Sequence, residues 1–180
     1  MSIVVREART DEYDEVGRLT VEAYQEYAEP LGGKQWANYR TDLVDIARRA
    51  ERGTVLVAES EGRLVGAVTY YPPADPADHG EYWWPPGFAY LRALAVHPQA
   101  RRRGVGRILT LTCVERAREQ GALGIALNTT SLMGAAQSMY EGMGFRLEKQ
   151  DDSSWLRGLC IFFYVLPLQS VEAAVSPEPV

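Results

Sequence analysis

Between Arg101 and Arg107 the chain reads Arg-Arg-Arg-Gly-Val-Gly-Arg, four guanidinium groups and two glycines within seven positions. Arginine forks suit phosphate oxygens, and glycine lets the main chain come close enough for its own N–H groups to take part. The flanks decide what the stretch can do. Before it, Phe88 to Val96 is an apolar and aromatic segment of strand length, closed by His97-Pro98. After it, Ile108 to Arg118 holds no glycine or proline, and the run stops at Gly121. A glycine-rich turn between a strand and a helix points its N–H groups at one spot, where the helix dipole adds positive potential. Such a turn holds phosphate.

Three other meanings of this run are weighed against it. A dinucleotide fingerprint needs a third glycine where Leu109 stands, and no acidic residue follows a second strand at the required distance. The nucleoside-triphosphate loop fails because the chain has no Gly-Lys-Ser/Thr. A nucleic-acid patch would need basic company, yet the net charge is −5 and no second basic cluster exists. A local phosphate ligand explains the arginines better, and no nucleic-acid partner is expected.

Arg101-x-x-Gly104-x-Gly106, following a strand that ends Leu94-Ala95-Val96, resembles the cofactor loop of the GNAT superfamily of acetyl-CoA-dependent N-acetyltransferases. The resemblance implies that Arg101, Arg102, Arg103, Gly104, Val105, Gly106 and Arg107 surround the pyrophosphate of coenzyme A. It also implies that Leu94, Ala95 and Val96 pair with the pantetheine arm, with Asn128 and Ser131 as further cofactor contacts. A second resemblance lies downstream. Leu132, Ala135, Ala136, Met139, Tyr140 and Met143 fall at helical spacing after the short strand Ile125 to Asn128, and Gly144-Phe145 follows. Ala136-x-x-x-Tyr140 with Gly144-Phe145 is similar to the family's last helix, which implies that Tyr140 faces the acetyl-CoA sulfur. On its own, the same helix would make Tyr140 an ordinary core aromatic.

The implied chemistry is acetyl transfer to a primary amine of a small molecule by direct attack in a ternary complex. A protonated tyrosine, with an ordinary pKa of about 10, can donate to a departing thiolate whose conjugate acid sits near 8.5, which makes Tyr140 the general acid. A backbone N–H near Leu94 would polarise the carbonyl, as the family implies. The base is harder to read. Many members carry a glutamate in the middle of the cofactor strand, where this chain has Tyr90 and Arg92, so the nearest upstream carboxylate, Glu81, is the candidate, with His79 beside it. A partly deprotonated amine also leaves room for no dedicated base. The acceptor wall is sought in Trp83 and Trp84, on a segment from Pro72 to Gly87 that holds five of the ten prolines, and in Tyr27. Those tryptophans equally read as caps on the core. Acetylation of protein N-termini or lysines, and a catalytically silent acyl-CoA-binding module, stand as alternatives.

The elements that must position these residues follow from pattern. At 180 residues and 46% hydrophobic, the chain suits one compact domain. Val4 to Ala8 reads as a strand, and Thr10 as the N-cap of a helix carrying Val16, Leu19, Ala23 and Tyr27. Gly32-Gly33 interrupts it, and Trp36, Tyr39, Leu43, Ile46 and Ala50 mark a second helix up to Gly53. Thr54 to Glu59 and Leu64 to Tyr71, around Glu61-Gly62, form a hairpin. Gly158 to Leu166 supplies the last strand. This order is similar to that of the GNAT fold, which is α/β (α+β) with a mixed, mostly antiparallel twisted sheet flanked by helices, its splayed central strands holding the cofactor. The expected domain is 1–167, with 168–180 a flexible tail. Cys113 and Cys160 have no metal-ligand spacing and read as reduced thiols; no metal is expected. No apolar run approaches the roughly 20 residues that cross a membrane, so no membrane partner is expected and the cytoplasm is the default compartment. The aromatic strands near the C-terminus permit a homodimer.

Overall fold

The computed structural model describes residues 2–74, 85–152 and 159–168. Its strands are β1 (Val4–Glu7), β2 (Thr54–Ser60), β3 (Arg63–Tyr71), β4 (Phe88–Val96), β5 (Gly124–Thr130), β6 (Arg146–Asp151) and β7 (Ile161–Pro167). They form one sheet in the order β1-β2-β3-β4-β5-β7-β6. Neighbours run antiparallel except at the centre, where β4 and β5 are parallel. The helices are α1 (Tyr13–Tyr24), the single turn α2 (Ala28–Leu31), α3 (Gly33–Val44), α4 (Ile46–Ala50), α5 (Val105–Glu119) and α6 (Gly134–Glu141).

Alternation along the strands sorts the core into two layers, because successive side chains point to opposite faces. Val55, Val57, Ala67 and Ala95 face α1, α3 and α4 and bury Val16, Leu19, Leu43 and Ile46. Leu56, Val68, Leu91, Ile125 and Leu127 face the other way and bury Val105, Leu109, Cys113 and Tyr140 from α5 and α6. Each large aliphatic side chain so enclosed contributes about 1.5–3 kcal/mol against exposure. The close approach of α5 to β3 needs Gly66, where a Cβ would stand 2.7 Å from Val105 and 3.0 Å from Leu109.

Several element boundaries differ from the sequence pattern. Arg9, rather than Thr10, is the N-cap residue, and the Glu12 carboxylate accepts its backbone N–H at 2.7 Å. Thr10–Glu12 is a 3-10 turn, as is Gln25–Tyr27, so α1 stops at Tyr24. The second helix is two, divided at Asp45, whose carboxylate accepts the Arg48 N–H at 3.1 Å. The last helix begins at Gly134, not Ser131. Strand β6, Arg-Leu-Glu-Lys-Gln-Asp, has no apolar alternation; it is an exposed edge that exists only because β7 offers it backbone partners.

Cys113 and Cys160 are free thiols, and burial pushes the Cys113 thiol up to about 12. Among the described residues no group of histidine, cysteine or carboxylate side chains is arranged for a metal, and no helix is long and apolar enough to cross a membrane. Leu168 still donates its N–H to the Leu123 carbonyl at 2.9 Å, while 169–180, nearly all of the expected tail, lie outside the described residues.

Candidate active site

Parallel pairing of β4 with β5 runs only from Phe88–Gly124 to Leu91–Leu127. Beyond it the two strands part. The cause is a bulge in β4: Ala67 of β3 lies opposite Ala95 and Thr69 opposite Arg92, so Ala93 and Leu94 together face Val68. Ala93 takes a left-handed φ of 53° to do so. A bulge bends its strand and sharpens the local twist, and here that turns β4 away from β5. The backbone of β4 after Leu91 consequently lacks a β5 partner inside the sheet.

The gap is a cavity of about 550 Å³. Leu94, Val96, Arg101, Arg102, Gly104, Val105, Gly106, Arg107 and Asn128 line it, and so do Tyr140 and Tyr27. Ala95, Arg103 and Ser131 do not. The Ala95 side chain is packed into the α1 layer, Arg103 is exposed on the loop, and the Ser131 hydroxyl accepts the Cys160 N–H at 3.3 Å. Glu81, His79, Trp83 and Trp84 lie outside the described residues.

At one end of the cavity stands the glycine loop. Arg102 and Gly104 have φ of 59° and 82°, a contorted path that delivers the chain directly into α5 at Val105. The first N–H groups of a helix have no partner within it, and those of α5 open where Gly104 to Arg107 form the cavity wall. Opposite, α6 carries Tyr140. The helix is held at its middle, where Gln137 Nε2 donates to the Thr130 carbonyl at 2.8 Å, and at its last residue, where Glu141 Oε1 accepts from the Tyr164 hydroxyl at 2.7 Å. The Tyr140 ring packs on Phe145 with centroids 5.5 Å apart. Burial pushes its hydroxyl well above the ordinary tyrosine value, so it is a neutral donor throughout the physiological range.

Pattern-based reading misses Tyr24. Its hydroxyl donates to the Leu94 carbonyl at the bulge, 3.1 Å away, and burial raises it to about 12. Its ring meets that of Tyr27 edge-on at 5.8 Å. The i,i+3 spacing of the two tyrosines was the available signal, but the residue that Tyr24 holds is 70 positions away. Thr129 was also unmarked; it lines the cavity with its hydroxyl buried and without a partner among the described residues. Tyr90 donates from β4 to Asn128 Oδ1 on β5, bridging the strands where they separate.

A phosphate-type loop at a helix start, beside parallel strands forced apart by a bulge, is the arrangement of the GNAT fold. Residues 8–145 match the model of the acetyltransferase (GNAT) family. N-acetyltransferase 8 of Rattus norvegicus is 33% identical over 153 residues, covering 78% of this chain and 65% of that protein. The Homo sapiens N-acetyltransferase 8 is 32% identical over 154 residues, with the same coverage of 78% and 65%. Among solved structures, the PaiA N-acetyltransferase of Thermoplasma acidophilum, in complex with coenzyme A, superposes with a TM-score of 0.73 at 18% identity, over 93% of this chain and 99% of that one. The chain belongs to the acetyltransferase (GNAT) family. It spans somewhat less than two thirds of the length of these curated relatives.

Proposed function

We propose that this chain transfers the acetyl group of acetyl-CoA to the primary amine of a small molecule, by direct attack in a ternary complex. The observation that carries the proposal is the cavity itself, which opens where β4 and β5 part and brings the glycine loop and Tyr140 to one space. The residues present fit the donor: N–H groups at the start of α5 and the guanidiniums of Arg102 and Arg107 suit a pyrophosphate, and the unpaired edge of β4 around Leu94 to Val96 suits an amide-bearing arm.

Acetyl-CoA supplies an activated acyl carbon. Backbone N–H groups near Leu94, at the β4 bulge, would polarise the carbonyl oxygen, where charge builds as the neutral amine attacks. As the carbon–sulfur bond breaks, Tyr140 donates to the thiolate. With burial holding its hydroxyl above the ordinary tyrosine value, itself above that of a thiol, full proton transfer to the thiolate is uphill, so the hydrogen bond to the developing thiolate is the larger part of its service. The ammonium proton passes to Glu81, the proposed base on sequence grounds, or to water. Tyr27, with Trp83 and Trp84, forms the proposed acceptor wall. Release of free thiol from acetyl-CoA across a panel of small amines, with mass analysis of the product, tests the reading. Amine-dependent release is expected; tight acetyl-CoA binding with no release against any amine would make the chain a silent acyl-CoA module.

A further inference from the structure

The loop pattern assigns Arg101 to the cofactor phosphates along with its neighbours, yet its guanidinium is spent elsewhere. Nη2 of Arg101 donates to the Ala23 carbonyl at 2.7 Å and meets Glu26 Oε1 at 2.7 Å. Ala23 lies in the last turn of α1, where carbonyls lack partners within the helix and a cation complements the dipole. Two more contacts cross the same seam. The Tyr24 hydroxyl holds the Leu94 carbonyl, and His97 Nε2 stands 3.4 Å from Glu22 Oε2. Residues 22–26 are thus strapped to residues 94–101, and Tyr24, within the strap, and Tyr27, just beyond it, both line the cavity.

We propose that Arg101 is a positioning residue that holds the end of α1, and with it the tyrosine wall of the acceptor side, against the cofactor strand, instead of contributing its side chain to phosphate binding. The proposal rests on the acetyltransferase reading for its kinetic arm only. The ion pair is half exposed on both sides, and such pairs add little stability. The charge-assisted bond to the Ala23 carbonyl is the stronger contact and has a fixed direction. Its effect is therefore on where α1 ends, more than on whether the domain folds.

Arg101→Ala removes both Arg101 contacts of the strap, Glu26→Gln removes only the weaker ion pair and should shift the same readouts less, and Arg107→Ala serves as the comparison within the loop. Three readouts are needed: acetyl-CoA affinity by calorimetry, acceptor KM and kcat, and amide hydrogen exchange over residues 20–27. Arg101→Ala should leave acetyl-CoA affinity within about threefold, raise acceptor KM about tenfold and speed exchange at the end of α1. Arg101→Lys, which keeps a cation and a donor, should restore most of the KM. Arg107→Ala should weaken acetyl-CoA about tenfold or more. If Arg101→Ala fails to fold, Arg101→Met, which keeps the apolar stem but neither cation nor donor, carries the same expectation. Tenfold weaker acetyl-CoA binding in Arg101→Ala with unchanged acceptor KM and exchange would overturn the proposal and return the side chain to the phosphates. Wild-type protein inactive toward every amine would overturn the proposed function, while calorimetry and exchange would still decide on the strap.

Discussion

Gly104 sits at a φ of 82°, and a Cβ built on it meets nothing within 4 Å. A side chain there is penalised by backbone strain, about 1–2 kcal/mol for an ordinary residue, and not by collision. Gly104→Asp should therefore leave the fold largely intact while its carboxylate repels phosphate, weakening coenzyme A at least about tenfold by calorimetry. Unchanged affinity in the folded variant would remove this loop from the cofactor site. Tyr140→Phe deletes only the hydroxyl, so acetyl-CoA binding should persist while turnover drops roughly 10- to 1000-fold. Wild-type turnover would hand the thiolate to another donor such as water. Because burial keeps the Tyr140 hydroxyl protonated, kcat should show no loss attributable to it as pH rises to about 10. An alkaline fall near pH 8 that Tyr140→Phe abolishes would contradict that placement.

Among the elements, β4 does the most to create the site, and it does so through one irregularity. Ala93 pays for the bulge with a left-handed backbone that a β-branched residue tolerates far less. Ala93→Val is expected to cost about 1–2 kcal/mol, which for a chain of this size lowers the melting temperature by roughly 2–8 °C. Either the variant keeps the bulge and loses stability, or β4 straightens toward β5 and acetyl-CoA binding falls as well. A variant with wild-type melting and affinity would show that the left-handed residue is not what holds the strands apart.

For the whole molecule, the acid limit of stability has a visible source. Arg6 on β1 donates to both Glu12 oxygens at 2.7 and 2.8 Å and to Glu59 Oε2 on β2, tying the start of the helical layer to the sheet edge. The Arg6 hydrogen bonds hold the buried Glu12 carboxyl down at about 2, against an ordinary 4.5. A carboxyl depressed in the folded state adds stability above its unfolded pKa and forfeits it as pH falls through the folded one. The contribution, of order 3 kcal/mol at neutral pH, should be lost between about pH 4.5 and about pH 2. Glu12→Gln should be less stable at pH 7 and show a flatter melting profile over that window; an unaltered acid slope would place the sensitivity in other carboxylates.

The loop from Arg101 to Arg107 and the helix bearing Tyr140 were legible in the chain, since glycine spacing, charge and helical period are local properties. So were the hairpin around Glu61-Gly62 and the apolar strands, whose alternation records which face is buried. Strand β6 was not, because an exposed edge strand owes its existence to hydrogen bonds from β7 and carries no apolar signature. Nor could spacing show that Tyr24 reaches Leu94 or that Arg101 turns to Ala23 and Glu26, for those partners are about 70 positions or more apart and meet only when α1 lies on the sheet. The cavity belongs to the same category. It depends on one residue of register between β3 and β4, and register is a relation between strands that neither strand contains alone.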